Sequence, residues 1–129
     1  MKVVILAGGF GTRLSEITTK IPKPMVRVGK LPLIMHIINI YKKFGLKEFI
    51  IAGGYKYKII LNYFKKKKIK NISVNVVNTG LKSLTGTRIR KLKKIIGNET
   101  FMFTYGDGLC SVNLNKLLKF HKKHKKTLT

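Results

Sequence analysis

Near the start, Lys2-Val3-Val4-Ile5-Leu6-Ala7 sets five apolar residues without alternation behind one lysine and runs straight into Gly8-Gly9. A run this short and this rich in β-branched residues reads as a strand buried on both faces, the habit of parallel sheets, and not as a helix. The same phrase recurs. Glu48-Phe49-Ile50-Ile51-Ala52 ends on Gly53-Gly54, Ile72 to Asn78 ends on Thr79-Gly80, and Thr100 to Tyr105 ends on Gly106-Asp107-Gly108. Helical spacing fills the intervals. Pro32 opens a helix to about Phe44, with Leu33, Ile37, Ile40, Tyr41 and Phe44 on one side and Gly45 as its stop. Further helices are expected over 56–66, from the end of the 79–86 loop to about Ile96, and over 113–123. Met25 to Val28 reads as a short strand and Thr127 to Thr129 as the beginning of another. Strands alternating with helices predict an α/β chain with a Rossmann-like, mostly parallel sheet and helices on both faces. Such sheets bind ligands at the carboxyl ends of their strands, where the glycines lie.

The first of those ends carries the most chemistry. Gly8, Gly9 and Gly11 leave no Cβ in the way of a group approaching the main-chain N–H donors, and Thr12 and Arg13 add a hydroxyl and a planar cationic fork. Anions suit that set of donors. Pro22 and Pro24 stiffen the chain on either side of Lys23 and so aim its ammonium. GGFG alone is a weak signal. It has neither the GK[ST] ending of a P-loop nor the G-x-G-x-x-G spacing of a dinucleotide fold. Asp107, the sole aspartate, sits between two glycines at the end of a strand read as buried. The plain reading is a turn, and the functional one is an oxygen ligand for a hard divalent ion.

At 129 residues with 44% hydrophobic content, the chain suits one domain with one core. No apolar run approaches the roughly 20 residues of a membrane span, and Met1 leads into the first strand without a signal-peptide pattern. A cytoplasmic protein with no membrane partner is expected. Cys110 is the only cysteine, which rules out an internal disulfide and reads as packing. The formal charge of +24 raises nucleic acid as a partner, yet only Arg13, Arg27, Arg88 and Arg90 are arginines, and the lysines are spread along the chain. Nucleic-acid binding is disfavoured on that ground. The Lys65–Lys68 block closes a helix, where the dipole favours cations. His36, His121 and His124 fall within helices, away from the glycine stretches, and read as structural.

The whole string LAGGFGTRLSEITTKIPKPM, Leu6 to Met25, closely resembles the signature of the sugar-phosphate nucleotidyltransferases, and SEIT resembles the glucose-1-phosphate cytidylyltransferase branch. The resemblance implies nucleotide binding by Leu6, Ala7, Gly8, Gly9, Gly11, Thr12, Arg13, Lys23 and Gly106. It implies catalytic roles for Lys23, Arg13 and Asp107, with Asp107 holding Mg²⁺ as the cofactor. VNTGLKSLTGTRIRKL resembles the VDTG…TGGR pattern of that branch, which puts base contacts on Ser83, Thr85 and Gly86 and a charge contact on Arg88. The implied partners are CTP and glucose 1-phosphate, in nucleotide-sugar and polysaccharide biosynthesis, and a homo-oligomer stays open. Two departures stand out. The stretch between the second helix and third strand is short for the family, and Thr85-Gly86-Thr87 stands where TGG is usual.

The resemblance runs from Met1 to Thr129 and covers about the N-terminal half of such an enzyme. Residues 1–129 are therefore expected to be the nucleotide-binding part of one domain that is incomplete at its C-terminus. The sugar pocket and a second metal-binding aspartate would lie beyond it, so little turnover is expected of the 129-residue chain alone. A thymidylyl- or uridylyltransferase of the same fold, and a non-catalytic nucleotide-binding or basic fragment, remain alternatives.

Overall fold

The computed structural model describes residues 1–10 and 19–129, and Gly11, Thr12 and Arg13 lie outside them. Strand β1 is Lys2–Ala7, followed by a short 3-10 turn at Lys23–Met25. A two-stranded hairpin pairs β2, Arg27–Val28, with β3, Leu31–Pro32. Helix α1 is Leu33–Lys43, β4 is Glu48–Gly53, α2 is Tyr57–Lys66 and β5 is Ser73–Asn78. Helices α3, Thr85–Lys91, and α4, Lys93–Ile96, precede β6, Met102–Tyr105, and α5, Leu114–His124.

The main sheet has the order β5-β4-β1-β6, and every pairing in it is parallel. Register sets Val3 beside Phe49 and Met102, and Ile5 beside Ile51 and Thr104. Side chains alternate across the sheet, so one strand feeds two cores. Val3, Ile5, Phe49 and Ile51 pack with Ile34, Ile37 and Ile38 of α1 and Ile60 of α2. Val4, Leu6, Ile50 and Ala52 pack on the other face with Leu92 and Ile96. Each such buried side chain contributes about 1.5–3 kcal/mol, which is why β1 and β4 are unbroken apolar runs. The expected helices on both faces are present. Among the described residues no helix is long and apolar enough to cross a membrane.

Four local differences from the sequence reading have physical causes. The helix expected to run to Ile96 breaks at Leu92, whose N–H donates to Ile89 O at 2.9 Å and whose fully buried side chain drops into the core. Met25 belongs to the 3-10 turn, and the short strand is half of a hairpin. Strand β6, read as buried, is the sheet edge, with Phe103 36% and Tyr105 53% exposed. Thr127 to Thr129 form no strand. Lys125 takes a left-handed conformation (φ 53°) after α5, and Thr129 Oγ1 lies 2.7 Å from His121 Nδ1 and 2.6 Å from His124 Nε2.

Candidate functional site

Strand order reverses at β1: the chain builds outward through β4 and β5 on one side and then crosses to β6 on the other. A reversal of this kind leaves a crevice outside the carboxyl ends of the two neighbouring strands, here β1 and β6. A cavity of about 390 Å³ occupies it, lined by Leu6, Ala7, Gly8, Gly9, Lys23, Pro24, Ser83, Leu84, Thr85, Arg88, Tyr105, Gly106 and Asp107. That volume is within the range of small-ligand sites.

Each wall has a local cause. Gly106 N–H donates to Leu6 O at 2.8 Å, which carries the β1–β6 ladder one residue past the strand. A Cβ at Gly106 would stand 2.9 Å from Pro24 Cγ and 3.0 Å from Leu6 O, so only glycine lets the Lys23–Met25 turn lie against the strand end. That packing seats the neighbouring Lys23 beside Asp107, and Lys23 Nζ donates to Asp107 Oδ2 at 2.6 Å. Both side chains are part-exposed, at 30% and 38%, and so remain within reach of a ligand. Gly9 is exposed, and among the described residues nothing lies within 4 Å of where its Cβ would be.

Gly8 and Arg88 line the cavity and also pack against each other. The place a Gly8 Cβ would take is filled by the Arg88 guanidinium, at 2.1–2.2 Å. Arg88 is only 6% exposed, and its two Nη atoms donate to Thr79 Oγ1 at 2.7 Å, Gly80 O at 2.8 Å, Gly8 O at 3.0 Å, and Gly53 O and Leu81 O at 3.3 Å. Five oxygens from the ends of three strands converge on one cation. Burial lowers its pKa from the usual arginine value, and the guanidinium stays charged at neutral pH. Fully buried Thr79 completes the knot by donating its hydroxyl to Gly53 O at 2.7 Å.

Ser83 is also turned inward. Its hydroxyl donates to Thr79 O at 2.6 Å and accepts from Lys91 Nζ at 3.1 Å, which leaves no proton for a ligand. The structure thus brings together Leu6, Ala7, Gly8, Gly9, Lys23, Ser83, Thr85, Arg88, Gly106 and Asp107, while Gly86 is not among the cavity residues. Sequence reasoning took Pro24 only as a stiffener of the chain beside Lys23, and it missed Leu84 and Tyr105 in the lining and Thr79 and Lys91 behind the wall. Exposed Tyr105 and Leu84 sit between residues already singled out, and their position beside the glycines was the available signal. Among the described residues no group of three or more His, Cys, Asp or Glu could hold a metal, so Asp107 stands as a single carboxylate. One carboxylate fits Mg²⁺ shared with ligand phosphates, because that ion keeps most of its water and is often held by one or two carboxylates plus phosphate oxygens.

The nucleotidyl transferase family model matches residues 2–129. The glucose-1-phosphate cytidylyltransferase of Salmonella typhimurium is 39% identical over 151 aligned residues, with 100% of this chain and 59% of that protein covered. The probable glucose-1-phosphate cytidylyltransferase of Bacillus subtilis is 40% identical over 142 residues, covering 95% of this chain and 56% of the relative. This chain therefore spans little more than half the length of these relatives. Among solved structures, HddC from Yersinia pseudotuberculosis complexed with GMP-PN superposes with a TM-score of 0.80 at 30% identity, over 93% of this chain and 53% of that one. A UDP-glucose pyrophosphorylase complexed with UDP-glucose gives 0.81 at 25% identity, over 96% and 54%. With a parallel sheet, a crevice at its switch point and a family match along almost its whole length, this chain belongs to the nucleotidyl transferase family.

Proposed function

We propose that this chain forms the nucleotide-binding part of a sugar-phosphate nucleotidyltransferase that transfers CMP from CTP to glucose 1-phosphate, giving CDP-glucose and pyrophosphate. The observation that carries the reading is the meeting of Lys23 and Asp107, at 2.6 Å, on the wall of the β1–β6 cavity beside exposed Gly9. An ammonium for phosphate oxygens, a carboxylate for a divalent ion and bare main chain for close approach are there in one crevice. Relatives named as cytidylyltransferases support the choice of base and sugar.

In this reading a phosphate oxygen of glucose 1-phosphate attacks the α-phosphorus of CTP in line. The bond to the β-phosphate oxygen breaks, and pyrophosphate leaves with its electron pair. The attacking phosphate has a second pKa near ~6 and is already ionised at neutral pH, so no histidine base is needed. The work left to the protein is alignment and charge. Lys23 neutralises phosphate oxygens as negative charge shifts toward the leaving group, in a crevice where such a contact is stronger than in water. Mg²⁺, when held by Asp107, supplies further charge neutralisation on the phosphates. Arg13, outside the described residues, is assigned to the same phosphates on the sequence signature alone.

Calorimetric titration of the chain with CTP, dTTP, UTP and GTP, in Mg²⁺ at fixed ionic strength, tests the reading. CTP is expected to bind most tightly. Equal affinity for all four would overturn the cytidylyl assignment, and no binding of any would overturn the nucleotide site. A salt series belongs with it, since a chain of formal charge +24 attracts any polyanion, and that attraction fades steeply with salt and ignores the base.

A further inference from the structure

We propose that Tyr55 and Lys56, in the turn between β4 and α2, are positioning residues that tie residues 8–10 to residues 19–23, and so set the phosphate side of the cleft without touching the nucleotide. The inference rests on the nucleotide reading above and names residues that act behind its site. Neither is among the cavity residues. Tyr55 holds the glycine side. Its N–H donates to Gly8 O at 3.3 Å, and its ring lies 5.4 Å, centroid to centroid, from that of Phe10, with the planes tilted by 40°. A Cβ at Gly54 would fall 2.8 Å from Gly8 O, so the glycine before Tyr55 lets the turn come this close. Ring pairs at such a separation fix orientation as well as bury area.

Lys56 reaches the other side. Its Nζ lies 5.3 Å from the Tyr55 ring centroid, within cation–π range, and donates to Thr19 O. Pro22 stiffens the chain between that carbonyl and the Lys23 ammonium. Phe10, Tyr55, Lys56 and Thr19 thus form one run of contacts, which joins the glycines after β1 to the stretch that carries the partner of Asp107. The backbone at Lys56 points the same way. It is left-handed, at φ 49° and ψ 32°, just ahead of α2, a conformation that glycine takes at least cost. A side chain costs backbone energy there, and a long cationic one spans the gap to Thr19. Strain held in this way gathers at functional sites.

The test titrates CTP in Mg²⁺, at fixed ionic strength, into the parent chain and into Lys56→Gly, Lys56→Arg and Phe10→Leu, with thermal melting of each. Lys56→Gly decides, because it relieves the left-handed backbone while cutting the tie. Its melting temperature is expected to equal or exceed the parent's, whereas its CTP affinity falls about tenfold, as a small misplacement of binding groups entails. Phe10→Leu should lose affinity by about threefold or more, and Lys56→Arg, which keeps a cation that can stack on the ring and donate, should stay within about threefold of the parent. Lys58→Ala removes an exposed charge two residues away and should change affinity by less than about twofold, which controls for the general attraction of a chain of formal charge +24. In a Lys23→Ala background the Lys56→Gly loss should shrink below about threefold, because it passes through Lys23. An undiminished loss there overturns the proposal, since Lys56 would then be a ligand in its own right. Loss of melting temperature together with affinity in Lys56→Gly also overturns it, by making the lysine a residue of the fold. A parent that binds CTP no better than salt-sensitive background overturns the nucleotide reading, whereas a binding parent with unaffected variants overturns this inference alone.

Discussion

Lys23 Nζ and Asp107 Oδ2 lie 2.6 Å apart although 84 positions separate the two residues in sequence. Each is the other's counter-ion, so under the proposed function a phosphate on Lys23 and a metal on Asp107 would compete with that pairing. A part-exposed pair of this kind is worth roughly 0–1 kcal/mol, little enough for a ligand to open.

Two substitutions at that pair should act in opposite directions. Lys23→Ala removes the cation and is expected to weaken CTP binding about tenfold or more, with the melting temperature nearly unchanged because the side chain is outside the core. In a full-length protein carrying the same residues, turnover measured as pyrophosphate release should fall roughly 10²–10³-fold. Asp107→Asn frees Lys23. Metal-free tripolyphosphate should then bind several-fold more tightly than to the parent, while the gain that Mg²⁺ brings to CTP binding should largely disappear. Calorimetry with and without Mg²⁺ reads both, and a variant whose Mg²⁺ response matches the parent would remove Asp107 from the metal role.

The glycines at the strand ends should sort by what surrounds them. Gly54→Ala sets a Cβ 2.8 Å from Gly8 O and 2.9 Å from Gly80 O, both backbone atoms that cannot yield cheaply. A loss of about 1–3 kcal/mol in urea unfolding is expected. Gly9→Ala meets nothing within 4 Å among the described residues, so its stability should change by less than about 0.5 kcal/mol. If the open face of Gly9 is where phosphate approaches, this stable variant should still lose CTP affinity.

Tyr41 links the fold to alkaline pH. Burial raises its pKa above 10.0, with the Thr104 hydrogen bond opposing that shift and Cys110 adding to it. The protonated form is the neutral one, so the folded state keeps its proton to higher pH than the unfolded chain does. The stability that this shift contributes is fully present below about pH 10 and is lost as pH rises through the folded value. Melting curves of the parent and Tyr41→Phe between about pH 8 and 11 should therefore converge, or cross, at the alkaline end. A gap between them that stays constant over that range would refute the assignment.

Much of this architecture was legible residue by residue. The unbroken apolar runs of β1 and β4 announce strands covered on both faces, and Pro32 and Gly45 bracket α1, because these signals act within a few residues of where they are read. The glycines that follow β1 and β6 were legible for the same reason, whereas the contact between Lys23 and Asp107 was not. Position in the sheet was not legible. Met102–Tyr105 looks like a buried strand by composition, yet whether a strand ends up central or at an edge depends on which others pair with it.

By itself, then, the sequence determined where the four strands of the main sheet and the helices α1, α2 and α5 form, which glycines follow those strands and which charged groups stand at their ends, since backbone propensity and periodicity are local properties. Tertiary structure alone decided what those groups face. Gly8 is a glycine because the guanidinium of Arg88, 80 positions away, occupies the space of its side chain. The family signature implies ligand contacts by Arg88 and Ser83, and only the fold shows that both line the cavity while donating to the oxygens of Thr79, Gly80 and Gly8. A hydrogen-bond donor has a fixed number of protons, and only the assembled fold shows which acceptor takes each one.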